Sequence, residues 1–518
     1  MQERYFPIGI QTFEKIRELN AIYVDKTDLI YRLVKGGNYY FLSRPRRFGK
    51  SLLISTLKAY FEGRKDLFEG LAIVNLEKDW MPYPVLHFSL SKKRIVKLED
   101  VGILLDNLLR ELEGVYGAEP ETDKSQYGLR MADLVARANR QTGKNVVLLI
   151  DEYDAPLLDT MHDKALFTQV RQQLRDFFSP IKDLDAKLQF VFITGISKFS
   201  QLSIFSELNN LTTITMENEY ASICGFTKEE IVEQLKPEIH NLAQAQGIQD
   251  TTALARLKKK YDGYHFSKKS PDIYNPLSLL KCLREKEFKN YWFETGTPTH
   301  VTEMISKYIL KPEELDGFAA GEMDFNVAFE NAETPIPMLY QSGYLTIKLY
   351  RSGIYTLGFP NEEVRVSFIK GLAPYYTKST ATQNNSFIIK LICALNEGDV
   401  NKAMILLRSF FSSIPYNAEK QDEHHYKTIF YLIFTLATDY CVRTEQCSAA
   451  GCCDALIETE DTIYLFEFKL NGTAEEALKQ IDDKGYAITY EAGDKKVVKI
   501  GANFDGDKRT IERWIIDG

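Results

Sequence analysis

One segment of the chain combines basic residues, a glycine and a hydroxyl at the spacing of a phosphate-binding loop. It is Arg44-Pro45-Arg46-Arg47-Phe48-Gly49-Lys50-Ser51. In such a loop, backbone N–H groups and a helix N-terminus cradle phosphates, the lysine reaches the terminal phosphates and the hydroxyl ligates Mg²⁺. The nucleotide contacts that we predict here are Arg46, Arg47, Phe48, Gly49, Lys50 and Ser51. The simpler alternative is a basic helix N-terminus on a solvated face.

Two carboxylates end the apolar run Val146-Val147-Leu148-Leu149-Ile150-Asp151-Glu152. At the end of a buried strand, a first carboxylate can hold Mg²⁺ and a second can polarise the water that attacks a phosphate. Asp151 is thus a predicted metal ligand together with Ser51, and Glu152 is a predicted catalytic residue. Thr194 ends a further apolar run and completes the predicted nucleotide site. The alternative for the carboxylate pair is a buried parallel strand followed by an acidic helix start.

Two β-rich runs, Cys453–Glu458 and Thr462–Leu470, flank the turn residues Glu460-Asp461 in the last part of the chain. If the turn has two residues, the antiparallel register places Asp454 directly opposite Glu467. Residues opposite each other in a hairpin project from the same face, with Cβ atoms roughly 5 Å apart. The sequence therefore predicts two adjacent carboxylates on one face of a hairpin.

Lys469 lies two residues after Glu467 and shares its face of the predicted hairpin. Two close carboxylates repel unless a cation lies between them, and a nearby lysine can position or activate a water for attack on a phosphodiester. We therefore predict Asp454 and Glu467 as metal ligands, and the same two residues with Lys469 as catalytic residues. Glu423, at the start of the preceding helix, is predicted to complete the metal shell. The alternative is a solvated hairpin face of mixed charge.

The setting of this hairpin favours a nuclease-type fold. Its three polar residues have the spacing Asp-x12-Glu-x-Lys, which is the core of the PD-(D/E)xK arrangement. A helix precedes the hairpin, and the next helix carries Gln480 and is followed by Tyr486. We therefore predict an α/β restriction-endonuclease-like domain that uses Mg²⁺, with Mn²⁺ as the alternative ion.

Short apolar strands alternate with amphipathic helices between Gly36 and Thr194, which predicts a parallel sheet flanked by helices. The predicted strands are Tyr39–Leu42, Pro84–Leu90, Val146–Ile150 and Leu188–Ile193. The phosphate-binding segment follows the first strand and precedes a helix that runs to Phe61. A phosphate-binding loop is expected at this kind of strand-to-helix junction.

After Gly225 the pattern becomes helical, and it begins with a capping box formed by Thr227 and Glu230. The stretch from about Tyr261 to Tyr376 mixes aromatic-rich turns with short strands. Its periodicity predicts no particular fold. We therefore expect this middle part of the chain to be a lid or linker.

A helical pattern resumes past Asn384, and from Glu423 the pattern is helix, hairpin, helix and strand. We predict a P-loop ATPase domain with a parallel sheet at residues 1–225. A helical lid and linker region follows at 226–383, and the nuclease-like α/β domain occupies 384–518.

The composition is that of an ordinary globular protein, with 518 residues, 44% hydrophobic and 26% charged, enough for about two to four domains. The net charge of -8 means that nucleic acid must meet a local basic patch. Without a membrane-length apolar run or a signal-peptide pattern, we expect a cytoplasmic protein that does not contact a membrane.

The 7 cysteines fit a reducing compartment. A metal cluster is the minor alternative for Cys441, Cys447, Cys452 and Cys453, which lack CxxC pairs.

Together these features resemble a bacterial family of predicted AAA-type ATPases fused to a PD-(D/E)xK domain, over essentially the whole chain. The motifs that carry the resemblance are Tyr23-Val24-Asp25-Lys26-Thr27, the Arg44 to Ser51 loop, Asp151-Glu152-Tyr153-Asp154, Thr194-Gly195-Ile196-Ser197-Lys198, Tyr261-Asp262-Gly263-Tyr264, Thr295-Gly296-Thr297-Pro298, Gly358-Phe359-Pro360-Asn361 and Glu467-Phe468-Lys469. The resemblance implies that Arg44, at the first glycine position of the usual P-loop pattern, is a family feature. One departure is Gly451-Cys452-Cys453-Asp454, where the family usually has Gly-Arg-x-Asp.

Two functions of different classes are consistent with these sites. The first is an ATP-regulated nuclease that hydrolyses ATP at the phosphate site and cuts nucleic acid, DNA more than RNA, at the hairpin. The second is a nucleotide-switched sensor whose C-terminal domain only binds nucleic acid or protein, which Cys452 in place of the family's arginine favours. A purely structural scaffold fits poorly with two acid-rich sites. The expected ligands are ATP and Mg²⁺, and assembly into oligomers stays open.

Overall fold

The computed structural model of the protein describes residues 4–118, 123–198, 210–292, 312–328, 332–377, 379–414, 423–437, 447–448, 451–490, 493–506 and 508–518. Within these ranges, the side chains of 423–427, 447–448, 451–452 and 489 are not described. The chain divides into two compact units. The first comprises Met1–Tyr308 and Gly317–Val364, and the second comprises Ile309–Asp316 and Arg365–Gly518. The division into 1–225, 226–383 and 384–518 stays a prediction.

A five-stranded parallel sheet organises the N-terminal part of the first unit. Its strands are β1 (Tyr39–Ser43), β2 (Val85–Ser89), β3 (Val146–Asp151), β4 (Leu188–Gly195) and β5 (Thr212–Thr213). They lie in the order β2-β3-β4-β1-β5. Every residue of β1 and β3 is buried, as expected for parallel strands that are covered on both faces. The predicted α/β class and all four predicted strands are confirmed.

Eight described helices accompany this sheet. They are α1 (Phe13–Glu18), α2 (Thr27–Gly36), α3 (Lys50–Phe61), α4 (Ile73–Leu76), α5 (Leu98–Tyr116), α6 (Tyr127–Thr142), α7 (Ala155–Thr160) and α8 (Lys164–Phe178). Leu53, Leu57 and Phe61 form a buried stripe on α3, because residues four apart share one helix face. The Phe61 ring lies 4.9 Å from that of Phe190 in β4. This packing fixes α3, and with it the end of the phosphate-binding segment, against the sheet.

Four helices follow the sheet, as predicted for the region after Gly225. They are α9 (Lys228–Gln234), α10 (Lys236–Ala245), α11 (Asp250–Tyr261) and α12 (Pro276–Glu285). The predicted capping box begins α9: the Glu230 N–H donates to the Thr227 hydroxyl, and the Thr227 N–H donates to the Glu230 carboxylate. A buried apolar cluster joins the four helices to Ile22 and Val24. The helices are therefore packed against the segment that precedes α2.

Short strands and helices complete the first unit, in the stretch for which the sequence predicted no fold. β6 (Phe226–Thr227) pairs with β7 (Ile273–Tyr274), and β10 (Ile354–Gly358) lies between β8 (Phe318–Ala320) and β9 (Thr346–Arg351) in an antiparallel sheet; α13 (Glu322–Phe325) and α14 (Ile336–Gln341) precede β9. Two family motifs meet here, since the Asn361 side chain donates to the Asp262 carbonyl at 2.9 Å. Gly263 (φ 96°) is required at this contact, because an added Cβ would lie 2.2 Å from the Pro360 carbonyl oxygen.

The second unit combines helices with a four-stranded mixed sheet. The helices of this part of the chain are α15 (Glu362–Thr377), α16 (Ala381–Asn396), α17 (Val400–Ser412), α18 (Glu423–Ala437) and α19 (Ala474–Asp483). The strands are β11 (Cys447–Ser448), β12 (Gly451–Cys452), β13 (Ala455–Glu458), β14 (Thr462–Leu470), β15 (Lys496–Asp505) and β16 (Thr510–Asp517), of which β13-β14-β15-β16 form the sheet. The predicted helix, hairpin, helix and strand are present, and β16 is an additional strand. No helix in the described ranges is long and apolar enough to cross a membrane.

Candidate active sites

The predicted phosphate-binding segment, Arg44 to Ser51, follows the carboxyl end of β1 and includes the first residues of α3, which begins at Lys50. Because β4 pairs in parallel with both β1 and β3, the carboxyl ends of these three strands meet at one edge of the sheet. The Arg44 N–H donates to the Gly195 carbonyl at 3.2 Å, which ties the loop to the end of β4. Gly49 has a left-handed backbone, with φ 92°, a conformation that glycine adopts without steric cost.

Arg44 anchors the start of this loop. This residue is 1% exposed, and its guanidinium donates to the Thr215 carbonyl at 2.7 Å and lies 4.2 Å from the Phe266 ring centroid. Arg46 and Arg47, in contrast, are exposed. The charge of Arg44 is therefore directed into the fold, while Arg46 and Arg47 place theirs at the surface of the loop.

Phe48 anchors the other half of the loop. Its side chain is 1% exposed, and its ring centroid lies 4.8 Å from that of Tyr264 and 5.2 Å from that of Phe266. The Gly225 N–H donates to the Phe48 carbonyl at 3.2 Å. The part of the first unit that follows the sheet thus holds the phosphate-binding segment in place.

The Lys50 ammonium is buried and lies inside the loop. It donates to the carbonyls of Arg44 and Pro45 at 2.8 and 2.9 Å. Burial lowers the pKa of Lys50, while the negative charges of Asp151 and Glu152 raise it. The carbonyls therefore satisfy the ammonium at a position where phosphate oxygens can take their place.

Ser51 and Asp151, the two predicted magnesium ligands of this site, influence each other. Burial raises the pKa of Asp151 to about 6, and the Ser51 hydroxyl lowers it. Asp151 Oδ1 and the Thr194 hydroxyl are buried and have no hydrogen-bond partner among the described residues. Because buried polar atoms are almost always satisfied in proteins, these residues fit a hydrated divalent cation.

The turn after β3 is fastened to the end of β4. Asp154 Oδ2 accepts hydrogen bonds from the N–H groups of Ile196 and Ser197, at 2.9 and 2.7 Å, and from the Ser197 hydroxyl at 2.6 Å. Glu152 lies in this turn with a left-handed φ of 49°. The network therefore fixes the main chain from which the Glu152 carboxylate extends.

A cleft of about 400 Å³ runs along the phosphate-binding segment. The predicted site residues that line it are Arg46, Arg47, Phe48, Gly49, Lys50, Ser51 and Glu152. Asp151 and Thr194 are buried and are not part of this lining. Apolar side chains, among them Ile8, Ile10 and Leu277, line the same cleft. A cavity with cationic and apolar walls has the chemistry to take phosphates and an aromatic base.

β13 and β14 form the hairpin of the second site. Ala455 pairs with Phe466, which is the register expected from a two-residue turn. In the next pair, the Asp454 N–H donates to Glu467 Oε2 at 3.3 Å, and the Phe468 N–H donates to Asp454 Oδ2 at 2.8 Å. The two carboxylates are therefore neighbours, as the register predicted.

Glu467 is the buried member of this carboxylate pair and Asp454 is the exposed one. Burial and the negative charge of Asp454 raise the pKa of Glu467 to about 7. The Lys469 ammonium lies 3.6 Å from Glu467 Oε1. The amide of Gln480 on α19 accepts from Lys469 and donates to Glu467. Two carboxyls that resist joint ionisation, with an ammonium beside them, fit a divalent cation.

Both sites lie within stretches of the chain that match known protein families. Residues 7–205 match a family model described as a predicted AAA-ATPase, and residues 421–514 match one described as the PD-(D/E)XK nuclease superfamily. A curated relative, "Uncharacterized protein in vnfD 5'region" of Azotobacter chroococcum mcd 1, is 34% identical over 533 aligned residues, covering 100% of this chain and 99% of the relative. The chain belongs to a family of predicted AAA-ATPases with a PD-(D/E)XK domain. No solved structure matches it.

In this AAA-ATPase and PD-(D/E)XK family member, the second site has two of its three predicted metal ligands in contact. Glu423 begins α18, but its side chain lies outside the described part of the chain. No group of three or more His, Cys, Asp and Glu side chains that could hold a metal was found in the described ranges. Asp454 and Glu467 fit a divalent ion that takes its remaining oxygen ligands from water.

The alternative of a cysteine metal cluster remains untested. The side chains of Cys441, Cys447 and Cys452 lie outside the described part of the chain, as does the motif 295–298. Cys453 is buried, and its thiol donates to the Ala455 carbonyl at 3.4 Å. This hydrogen bond of the Cys453 thiol is typical of a buried structural cysteine.

Four residues that line the cleft or support its surroundings have no role in the site predicted from the sequence. They are Lys26, Glu230, Asp154 and Ser197. Three of them stand in the family motifs that begin at Tyr23, Asp151 and Thr194, which is the signal that could have singled them out. Glu230 was identified only through its capping box.

Proposed function

We propose that the first unit binds and hydrolyses ATP. The observation that carries this proposal is that Lys50, Ser51 and Asp151 converge at the carboxyl edge of the parallel sheet. The Lys50 ammonium exchanges its loop carbonyls for phosphate oxygens, and the exposed Arg46 and Arg47 add positive charge to the same wall of the cleft. The apolar lining suits the base, since stacking and burial of an aromatic ring need an apolar wall.

Ser51 and Asp151 are the proposed ligands of Mg²⁺, which supplies neutralisation of phosphate charge when it is bound. Glu152 lines the cleft and is the proposed group that orients and polarises the attacking water. Asp154 and Ser197 hold the turn that carries Glu152. Thr194, with its buried hydroxyl at the end of β4, is proposed to hydrogen-bond to this cluster in the nucleotide complex.

The Lys50→Ala variant tests this proposal. It is expected to abolish binding of a fluorescent ATP analogue, because the ammonium is the cation inside the loop. Lys58→Ala is the matched control, since Lys58 lies on the same helix and pairs with the exposed Glu62. An unchanged affinity of the Lys50→Ala protein would contradict the assignment of this loop.

We propose that the second unit is a metal-dependent nuclease that acts on nucleic acid, DNA more than RNA. The contacts among Asp454, Glu467 and Lys469 support this proposal. Asp454 and Glu467, with Glu423 as a third candidate, are the proposed ligands of Mg²⁺ or Mn²⁺, an ion that supplies a Lewis acid at the phosphodiester when bound. The Lys469 ammonium positions the attacking water or the scissile phosphate, and Gln480 orients that ammonium.

A cleavage assay on single- and double-stranded DNA and RNA, with Mg²⁺ and with Mn²⁺, tests the second proposal. Wild-type protein is expected to cut DNA, and Asp454→Asn and Lys469→Met are expected to cut none of the substrates. Lys499→Ala is the control, because Lys499 lies in the same sheet but pairs with Asp482. Equal cleavage by wild type and Asp454→Asn would contradict the proposed site.

The alternative function is a nucleotide-switched sensor whose second unit binds nucleic acid or protein without cutting it. The observation that favours it is Cys452, where the family usually has an arginine that can contact phosphate. Nucleic-acid binding by the wild-type protein, without cleavage in either metal and with equal binding by Asp454→Asn, would support this alternative. Such a result would leave the ATPase proposal intact.

A further inference from the structure

A buried lysine outside the phosphate-binding loop lines the same cleft as Lys50 and Ser51. Lys26 is 8% exposed and belongs to the cleft lining. Its ammonium donates to both carboxylate oxygens of Glu230 at 2.6 Å. A buried ammonium is costly unless it is paired, so the Glu230 carboxylate compensates for the burial of Lys26.

The main chain around Lys26 is rigid. Asp25 Oδ1 accepts from the Thr27 N–H at 2.8 Å and from the Thr27 hydroxyl at 2.7 Å, and Asp25 Oδ2 accepts from the Ala72 N–H at 2.7 Å. Helix α2 begins directly after Lys26. This fixed backbone sets the position of the Lys26 ammonium. The Lys26 side chain therefore does not need to become ordered when a ligand binds.

Glu230 has two roles that can be separated. Its Oε2 atom accepts from the Thr227 N–H at 2.8 Å and so caps α9, while its charge balances Lys26. Capping needs only an oxygen acceptor, which glutamine also provides. A substitution by glutamine therefore removes the charge from the ion pair and keeps the helix cap.

Lys26 and Lys50 line the same cleft. Burial raises the pKa of the Cys224 thiol, while the positive charges of Arg44, Lys50 and Lys26 lower it. Cys224 also lines the cleft. The charges of both ammonium groups thus act on the cleft at Cys224, and a polyanion bound there is attracted by both.

We propose that Lys26 is a nucleotide-binding residue that contacts the phosphate chain, and that Glu230 occupies its ammonium until the nucleotide binds. This inference rests on the proposed ATP site at Lys50. Phosphate oxygens compete with the Glu230 carboxylate for the same ammonium, because both are anionic acceptors. Nucleotide binding therefore weakens the ion pair that links the segment before α2 to α9.

Affinity for a fluorescent ATP analogue in the presence of Mg²⁺, measured on the full chain, tests this inference. Lys26→Met is expected to weaken binding by roughly ten- to a hundredfold, the effect of one charge-assisted hydrogen bond. Glu230→Gln is expected to tighten binding several-fold, because it frees the ammonium of its competitor. Lys35→Met is the matched control with unchanged affinity, since Lys35 lies on α2, the helix that follows Lys26, and pairs with the buried Glu77 at 2.9 Å. Weaker binding by both Lys26→Met and Glu230→Gln would overturn the inference and indicate a structural ion pair.

Two further measurements identify the ligand group and protect the test against misfolding. In Lys26→Met, the affinity for tripolyphosphate, measured by competition, is expected to fall as much as the affinity for ATP. If only the affinity for ATP falls, the assignment of Lys26 to the phosphate chain is overturned. Lys26→Arg keeps the charge and is expected to restore most of the affinity. Lys50→Ala with unchanged affinity would refute the ATP site itself, whereas loss of binding in Lys50→Ala but not in Lys26→Met would refute only the role of Lys26.

Discussion

The hydroxyl of Ser51, in the first turn of α3, lowers the pKa of the Asp151 carboxyl group at the end of β3, which burial raises to about 6. This edge of the sheet is where the proposed Mg²⁺ site lies. Glu152 follows Asp151 directly but lines the open cleft. The two consecutive carboxylates therefore have different surroundings, which is consistent with the two different roles proposed for them.

The separation of these tasks predicts different effects of two conservative substitutions. Glu152→Gln is expected to keep the affinity for ATP within about twofold and to lower turnover by at least about a hundredfold, because it removes only the group that polarises water. Asp151→Asn is expected to remove the Mg²⁺-dependent part of the affinity. Nucleotide titrations with and without EDTA, together with phosphate release, measure both. An equal loss of affinity in the two variants would mean that the roles are misassigned.

A glycine that permits two family motifs to meet gives a prediction for stability. Gly263→Ala is expected to destabilise the first unit by about 2 kcal/mol or more, because φ is 96° and the added Cβ would lie 2.2 Å from the Pro360 carbonyl oxygen. Gly143→Ala is the control, since Gly143 has a φ of 66° but no atom within 4 Å of an added Cβ. Thermal unfolding measures the difference, and equal melting temperatures of the two variants would contradict this account.

Local patterns were sufficient to predict the parallel strands and the hairpin. Each of the four predicted parallel strands is a mainly apolar run, whereas β5 is only Thr212-Thr213, and the two-residue turn at Glu460-Asp461 fixes the hairpin register. The antiparallel sheet in the middle of the chain could not be predicted in this way. β9 has exposed residues from Lys348 to Arg351, so its sequence lacks the alternation of a half-buried strand. α15 continues past Pro374, a residue that sequence rules place at a helix end.

The site residues that the sequence left without a role depend on contacts between distant parts of the chain. Lys26 and Glu230 are 204 residues apart, and no local periodicity relates them. Arg44 has arginines as close neighbours in the sequence, yet it is buried against Thr215 and Phe266. Tertiary packing decides which of several similar side chains faces a ligand.

A buried carboxyl group in the first unit gives a prediction about pH. Glu363 is fully buried, and its Oε1 accepts from the Trp292 N–H at 2.7 Å. Burial raises the pKa of Glu363 from 4.5 to about 7, although the Trp292 N–H lowers it. Between these two values the folded protein keeps a proton that the unfolded chain has lost, so this group makes stability fall as pH rises. The pH range of this effect, from about 4.5 to about 7, follows directly from the raised pKa of Glu363.

Glu363→Gln is therefore expected to make the first unit less sensitive to pH. Glutamine keeps an oxygen for the Trp292 N–H but does not ionise, so the variant should exceed wild type in stability at pH 8, by up to roughly 3 kcal/mol, and match it near pH 5. Melting temperatures across this range measure the difference. A variant that is less stable than wild type at both pH values would contradict the raised pKa.

The hairpin carboxylates predict how the second unit responds to metal ions. Asp454 and Glu467 lie side by side, and without a cation each disfavours the charge of the other. A divalent ion that binds only the folded state stabilises it by mass action, by about 2.7 kcal/mol at a hundred times the dissociation constant. Wild-type protein is thus expected to melt at a higher temperature in Mn²⁺ or Mg²⁺ than in EDTA.

Asp454→Asn is expected to abolish this metal-dependent shift and to change stability in EDTA only slightly. The amide oxygen of asparagine can still accept from the Phe468 N–H, which donates to Asp454 Oδ2 at 2.8 Å, and the charge repulsion with Glu467 is gone. Asp483→Asn is the control, because Asp483 is an exposed aspartate at the end of α19, outside the hairpin. If wild type and Asp454→Asn gain the same stability from Mn²⁺, the ion binds elsewhere and the paired carboxylates of the hairpin are not its ligands.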